Sequence, residues 1–223
     1  MTGHAVFDLD GALIDSVPLF TTILNAMLSD RGLAPRVDEA MVRPHASAGG
    51  RAMIGALLGD VDVDRTLGEF RERYAALPTP QDCLYPGVRE GLARLKAAGV
   101  GLALWSSKTQ PLCDKVMGEL GLAPLFDAIV GTSARVPLKP DPTGLDLALA
   151  QAGGARARSC FIGDSEADYD CARAAGVPVI ILTYGYGAPG QTYPGARLAD
   201  RFDAVPPLVE AILGLAPAGA AAA

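Results

Sequence analysis

The 223-residue chain is poor in several things, and each shortage narrows its function. It has four cysteines, Cys83, Cys113, Cys160 and Cys171, with no Cys-x-x-Cys pair, so they read as reduced thiols rather than a disulfide frame. Positive charge is not in excess: the net charge is −6. The electrostatic footprint of a nucleic-acid binder is therefore missing, and anionic membranes should not attract the chain. An anionic substrate would need a local device, such as a metal ion or one well-placed lysine. The start, MTGHAVFDLD, lacks the basic and apolar regions of a secretion signal, and no apolar run approaches the ~20 residues of a membrane span. A cytoplasmic protein is the expectation, with no nucleic acid and no membrane as partner. The small-residue tail, 217–223, is expected to be flexible.

What is present suits a globular chain, half apolar and a fifth charged. Four short apolar runs, HAVFDLD, VGLALWSS, SCFIGDS and VPVIILTYGYG, lack polar alternation and read as strands buried on both faces. FDAIVG supplies a fifth. Helical patterns lie between them, including GVREGLARLKAAG, QPLCDKVMGELG, PTGLDLALAQAGG and EADYDCARAAG. This alternation predicts an α/β core with a doubly wound, Rossmann-like parallel sheet, over residues 1–15 and 81–216. Residues 16–80 break the rhythm with helical patterns only, so a small all-helical cap inserted after the first strand is expected there.

The polar residues fall at informative places. Asp8 and Asp10 end the first strand, Ser106 and Ser107 the second, Lys139 precedes a helix, and Asp164 ends the strand in CFIGDSEAD. Each has an ordinary explanation. The Asp-x-Asp pair could shape a turn, the serines could cap the helix near Gln110, Lys139 could be a solvated loop residue, and Asp164 and Asp168 could complement a helix dipole. These explanations do not account for the common address, because the carboxyl ends of parallel strands line one ligand crevice. Several carboxylates at one point repel unless a cation holds them, and oxygen-only ligands favour a hard ion such as Mg²⁺.

In order, DLDGALIDS, LWSSK, LKPDP and IGDSEAD resemble the four motifs of the haloacid dehalogenase (HAD) superfamily, in particular its phosphoglycolate phosphatase-like branch with a helical cap. The resemblance implies a Mg²⁺-dependent phosphatase of small phosphorylated metabolites, with 2-phosphoglycolate as leading substrate. Asp8 would be the nucleophile, forming an aspartyl-phosphate, and Asp10 the general acid and base. Ser106, Ser107 and Lys139 would bind the phosphoryl group. Asp8, Asp10 through its carbonyl, and Asp164 would hold the metal, with Asp168 ordering a metal-bound water. One departure stands out, since Ala12 replaces the usual Thr and removes an expected hydroxyl. No lysine falls in the proposed cap, which argues against Schiff-base chemistry there. A sugar-phosphate phosphatase, a phosphomutase and a non-catalytic phosphometabolite-binding module stay open as alternatives. LTYGYG is similar to a stretch in these phosphatases, although a Gly-Tyr-Gly turn is common. In the cap, Arg43, His45 and Arg51 surround a Gly-rich break between helices and are candidates for a substrate carboxylate. The choice between monomer and homodimer is open.

Overall fold

The computed structural model describes residues 3–47, 49–59, 61–188 and 190–216, so the tail lies outside the described residues. In chain order the elements begin with β1 (His4–Phe7), α1 (Val17–Asp30), α2 (Glu39–Ala46), α3 (Gly50–Leu58), α4 (Val63–Ala76), α5 (Val88–Ala97) and β2 (Gly101–Thr109). They continue with α6 (Gln110–Glu119), β3 (Ala128–Thr132), α7 (Thr143–Gln151), β4 (Ser159–Gly163), α8 (Glu166–Ala175), β5 (Val179–Leu182), β6 (Arg197–Ala199) and α9 (Val205–Leu213).

The strands form one sheet in the order β3-β2-β1-β4-β5-β6, with every pairing parallel. Alternation along each strand sends side chains to opposite faces. Ala5, Phe7, Leu104 and Ile162 pack on one side beneath α5, α6 and α9, and Val6, Trp105 and Phe161 pack on the other beneath α7 and α8. Both faces are thus covered, which is why the strand runs read as continuously apolar. Fully burying a side chain such as Phe7 or Phe161 contributes roughly 1.5–3 kcal/mol.

Between β1 and α5 the chain builds the helical insert α1–α4. Val17, Phe20, Ile23, Leu24, Met27 and Leu28 make the buried stripe of α1, and they belong to the same apolar cluster as the first face of the sheet. Insert and core are therefore packed as one continuous interior. The Gly-rich stretch separates α2, which carries Arg43 and His45, from α3, which carries Arg51, and α2 itself adds to the sequence reading. The Asp38 carboxylate starts that helix by accepting the Met41 N–H at 2.8 Å, while Pro44 inside it hides the pattern from sequence. β6 and α9 are also additions to the sequence reading.

The strand order reverses direction at β1, with β2 on one side and β4 on the other. The loops leaving β1, β2, β4 and β5 therefore converge at the switch point, where an open sheet leaves a crevice.

Candidate active site

Asp8 is the residue after β1, and its backbone N–H still donates to Ile162 O of β4 at 2.8 Å. The sheet thus fixes the backbone where this carboxylate leaves it. Lys139, from the loop before α7, places Nζ 2.6 Å from Asp8 Oδ1 and 2.7 Å from Asp168 Oδ1. Asp164 follows β4, and carboxylate oxygens of Asp8, Asp164 and Asp168 lie within 4.8 Å of one another. All three acids and Lys139 are buried. Asp168 serves two structures at once. Its Oδ2 accepts the N–H groups of Asp164 at 3.1 Å and Ser165 at 3.0 Å, completing the capping box that starts α8, while Oδ1 holds Lys139. The capping role and the site role therefore coexist in one residue.

Charge is not balanced here, since three carboxylates face one ammonium. Burial pushes the Asp8 carboxyl up to about 7 despite the attraction of Lys139. Burial also lifts Asp164, and its acidic neighbours Asp168 and Asp8 add to the effect. For Asp168 the burial penalty is overcome by Lys139 and by the hydrogen bonds of the α8 cap, so its carboxyl stays below the usual range. Burial works against the Lys139 charge too, and Asp168 and Asp8 more than offset it. Asp164 Oδ1 is buried without a partner. A side chain at Gly11 or Gly185 would run into Asp164, its Cβ falling 2.2 Å from Oδ2 or 2.3 Å from the Asp164 Cβ. An unpartnered oxygen, excess negative charge and an all-oxygen donor set fit a hard divalent cation.

Asp10 lies apart from that cluster. Its Oδ1 accepts the Ser16 hydroxyl, and its Oδ2 pairs with Lys108 Nζ at 3.0 Å. Lys108 is buried, and its ammonium lies 4.3 Å from the ring centroid of Tyr74 and 5.1 Å from that of Phe20, both from the insert. Burial opposes its charge, but the Asp10 carboxylate and the Tyr74 hydroxyl outweigh that and raise its pKa. Sequence reasoning passed over Lys108 because LWSSK looks like a lysine at a helix start, and the aromatic roof comes from residues far away in the chain. Ser106 and Ser107 do not cap α6. They lie inside β2, Thr109 takes the N-cap position, and the buried Ser106 Oγ accepts the Lys108 N–H at 3.2 Å.

Ala12, which lacks the expected hydroxyl, is fully buried, and its backbone is held from another loop. Tyr184, in the loop after β5, donates its hydroxyl to Ala12 O at 2.8 Å, so the β1 loop is anchored from outside. The cap candidates separate. Arg43 pairs with Asp15 at 2.7 Å beside the site, whereas Arg51 is exposed and pairs with Asp64 at the surface, so Arg51 is not brought to the site. His45 is half-buried on α2, and the wider opening beside Asp164 is lined by Arg43, Pro44 and Ser47 from the insert. A narrower pocket of about 70 Å³ on the Asp10 side is lined by Ser107, Lys108, Phe20, Phe70 and Tyr74.

Comparisons with known proteins give the family. Residues 5–182 match the family described as haloacid dehalogenase-like hydrolase. A phosphoglycolate phosphatase from Xanthomonas campestris pv. campestris is 36% identical over 184 residues, covering 81% of this chain and 83% of the relative. Another from Mesorhizobium japonicum is 39% identical over 188 residues, covering 81% and 82%. The crystal structure of a predicted phosphoglycolate phosphatase from Haemophilus somnus superposes with a TM-score of 0.78 at 25% identity, covering 93% of this chain and 97% of that one. The chain belongs to the haloacid dehalogenase-like hydrolase family.

Proposed function

We propose that the protein hydrolyses a small phosphate monoester, with 2-phosphoglycolate the substrate best suited to its site, through a phosphorylated Asp8. The observation that carries this reading is the buried cluster in which Lys139 bridges Asp8 and Asp168 beside the unpartnered oxygen of Asp164. An Asp8 oxygen attacks phosphorus, the bond to the ester oxygen breaks, and that oxygen takes a proton from Asp10. A water then gives a proton back to Asp10 and attacks the same phosphorus, releasing Asp8 as carboxylate and freeing inorganic phosphate. Lys139, Ser106 and the backbone at Ser107 hold the phosphoryl oxygens where charge develops. Asp168 acts through Lys139 and through the backbone that carries Asp164.

Asp8, Asp164 and the carbonyl of Asp10 would hold Mg²⁺, which when bound neutralises the carboxylate and phosphate charges that must meet. Asp168, in hydrogen-bond contact with the Asp164 backbone, would order a water of that ion. The insert, residues 16–80, acts as a cap over the core. The pocket on the Asp10 side has room for a leaving group of few atoms, since a water needs ~10–15 Å³ of the same measure. Lys108 beside it suits a leaving group that carries a negative charge, which favours glycolate over a sugar.

Phosphate release from 2-phosphoglycolate, sugar monophosphates and p-nitrophenyl phosphate tests the reading, with and without Mg²⁺ and with Asp8→Asn as control. Mg²⁺-dependent release that is greatest for 2-phosphoglycolate and absent in the variant is expected. Preference for a sugar phosphate would move the assignment to a sugar-phosphate phosphatase. Isomerisation supported by a bisphosphate would indicate a phosphomutase, and binding without turnover a phosphometabolite-binding module.

A further inference from the structure

The loop after β5, quoted above as a common turn, makes contacts that a turn does not require. Its two tyrosines grip the β1 loop in two places. Tyr184 holds Ala12 O, and Tyr186, which is 3% exposed, reaches the hinge at Asp15 and Ser16 where the chain leaves the core for the insert. The Tyr186 hydroxyl accepts the Ser16 N–H at 2.7 Å and donates to Asp15 Oδ1 at 2.9 Å. Its backbone N–H donates to Asp164 Oδ2 at 2.6 Å. Arg43 of α2 pairs with the other oxygen of Asp15 at 2.7 Å and lies over the Tyr186 ring, 5.3 Å from its centroid.

Ser16 is the N-cap residue of α1, a position where a serine ordinarily turns its hydroxyl back onto the helix. Here it makes no side-chain cap bond. Asp15 Oδ1 takes over, accepting the Val17 N–H at 3.1 Å, and the Ser16 hydroxyl is left to donate to Asp10. The hinge thus gives up a local cap bond to aim a hydroxyl at one carboxylate. The Tyr186 hydroxyl fixes both residues that make this possible, through the Ser16 N–H and the Asp15 carboxylate.

We propose that Tyr186 is a positioning residue for the proton transfer to the leaving group: its hydroxyl sets Ser16, Ser16 sets Asp10, and the Arg43–Asp15 pair ties that alignment to the cap. The inference rests on the reading of Asp10 as general acid. It concerns alignment rather than binding of phosphate, because the Tyr186 hydroxyl bonds to Ser16 and Asp15 and not to Lys139 or Asp8. The backbone N–H that supports Asp164 survives loss of the hydroxyl, so Tyr186→Phe removes the Asp10 path and leaves the metal-side contact in place.

The test compares wild type, Tyr186→Phe, Ser16→Ala, the double variant and Asp10→Asn on two substrates. One is 2-phosphoglycolate, whose alkoxide must be protonated as it leaves. The other is p-nitrophenyl phosphate, whose phenolate leaves without help. The readout is kcat/KM, which covers the steps through departure of the leaving group and leaves out the later hydrolysis in which Asp10 serves as base for both substrates. Tyr186→Phe is expected to lower kcat/KM on 2-phosphoglycolate by ~10-fold and on the aryl ester by less than ~3-fold. The double variant should be no worse than Ser16→Ala, because both changes break one path. Equal loss of kcat/KM on both substrates, effects that multiply in the double variant, or unchanged kcat/KM in Tyr186→Phe would each overturn the inference. If kcat/KM of Asp10→Asn itself falls equally on both substrates, the general-acid reading fails and the inference with it. If Asp10→Asn discriminates and Tyr186→Phe does not, only the inference fails. Thermal unfolding of each variant, compared with wild type, identifies a loss that comes from misfolding; such a loss would lower kcat/KM on both substrates and count against the proposal.

Discussion

Asp8 carries opposed demands, since it must be buried to be aimed and charged to attack. Burial lifts its carboxyl from 3.8 to about 7, so the metal-free folded protein binds a proton there that the unfolded chain has released. The sign follows from linkage: this contribution to stability is fully present below about 4 and is lost as pH rises through about 7. Asp164 is raised in the same direction. The melting temperature of the metal-free protein should therefore fall between pH 5 and pH 8, and Asp8→Asn should flatten that slope in scanning calorimetry. Mg²⁺ should stabilise more at pH 8 than at pH 5, because proton and cation compete for the same oxygens. A slope of the opposite sign would contradict the electrostatic picture. Lys139 provides the complementary case. Removing one partner of a buried ion pair typically costs ~3–5 kcal/mol, so Lys139→Met should be strongly destabilising at pH 8 in urea unfolding and less so at pH 5, where Asp8 is neutral.

At the scale of elements, the helical insert joins the sheet by two connections that are fastened differently. The first, Asp15–Ser16, is held by Tyr186 and Arg43. The second is held by Glu119 at the end of α6, whose Oε2 accepts the Thr79 N–H at 2.9 Å, the Thr79 hydroxyl at 2.6 Å and the Lys115 ammonium at 2.6 Å. These bonds, that from Lys115 foremost, hold the Glu119 carboxyl down at about 2. Because Glu119 is largely solvent-facing, screening keeps the worth of the charge small, at ~0.2–1 kcal/mol. Glu119→Gln should thus lose no more than that in urea unfolding at pH 7 while speeding proteolysis near Thr79. The stability difference should shrink as pH falls below about 4.5 toward about 2. Unchanged cleavage would show that Glu119 does not fasten the connection.

The same scale shows what the sequence could reveal. β1, β2, β4 and β5 were readable because burial on both faces leaves an unbroken apolar run, whereas β6 has Arg197 and Leu198 exposed at the sheet edge and gives no such run. α2 was hidden by Pro44. The convergence of Asp8 and Asp164 was readable because each follows a strand at the same edge of the sheet, and the loop before α7 adds Lys139 there. Lys108, Tyr184 and Tyr186 were not recognised, because their meaning depends on partners brought close by folding: Tyr74 roofs Lys108, Ala12 receives Tyr184, and Ser16 receives Tyr186.

For the whole molecule, a net charge of −6 has to coexist with an anionic substrate. The chain resolves this locally, with Lys139 buried against Asp8, Lys108 buried against Asp10 and an acidic cluster suited to a cation. No described helix is long and apolar enough to cross a membrane. The parallel sheet supplies the fixed acids, and the insert places Phe20, Phe70 and Tyr74 beside Lys108 of β2. In the proposed mechanism everything turns on phosphorylation of Asp8 during turnover. Its most direct test is acid quenching of the enzyme within the first turnover on 2-phosphoglycolate with Mg²⁺, followed by peptide mass spectrometry. A phosphoryl group on the peptide that contains Asp8, absent in Asp8→Asn, is the predicted result. Turnover by wild type with no phosphoryl group on that peptide at any quench time would contradict it.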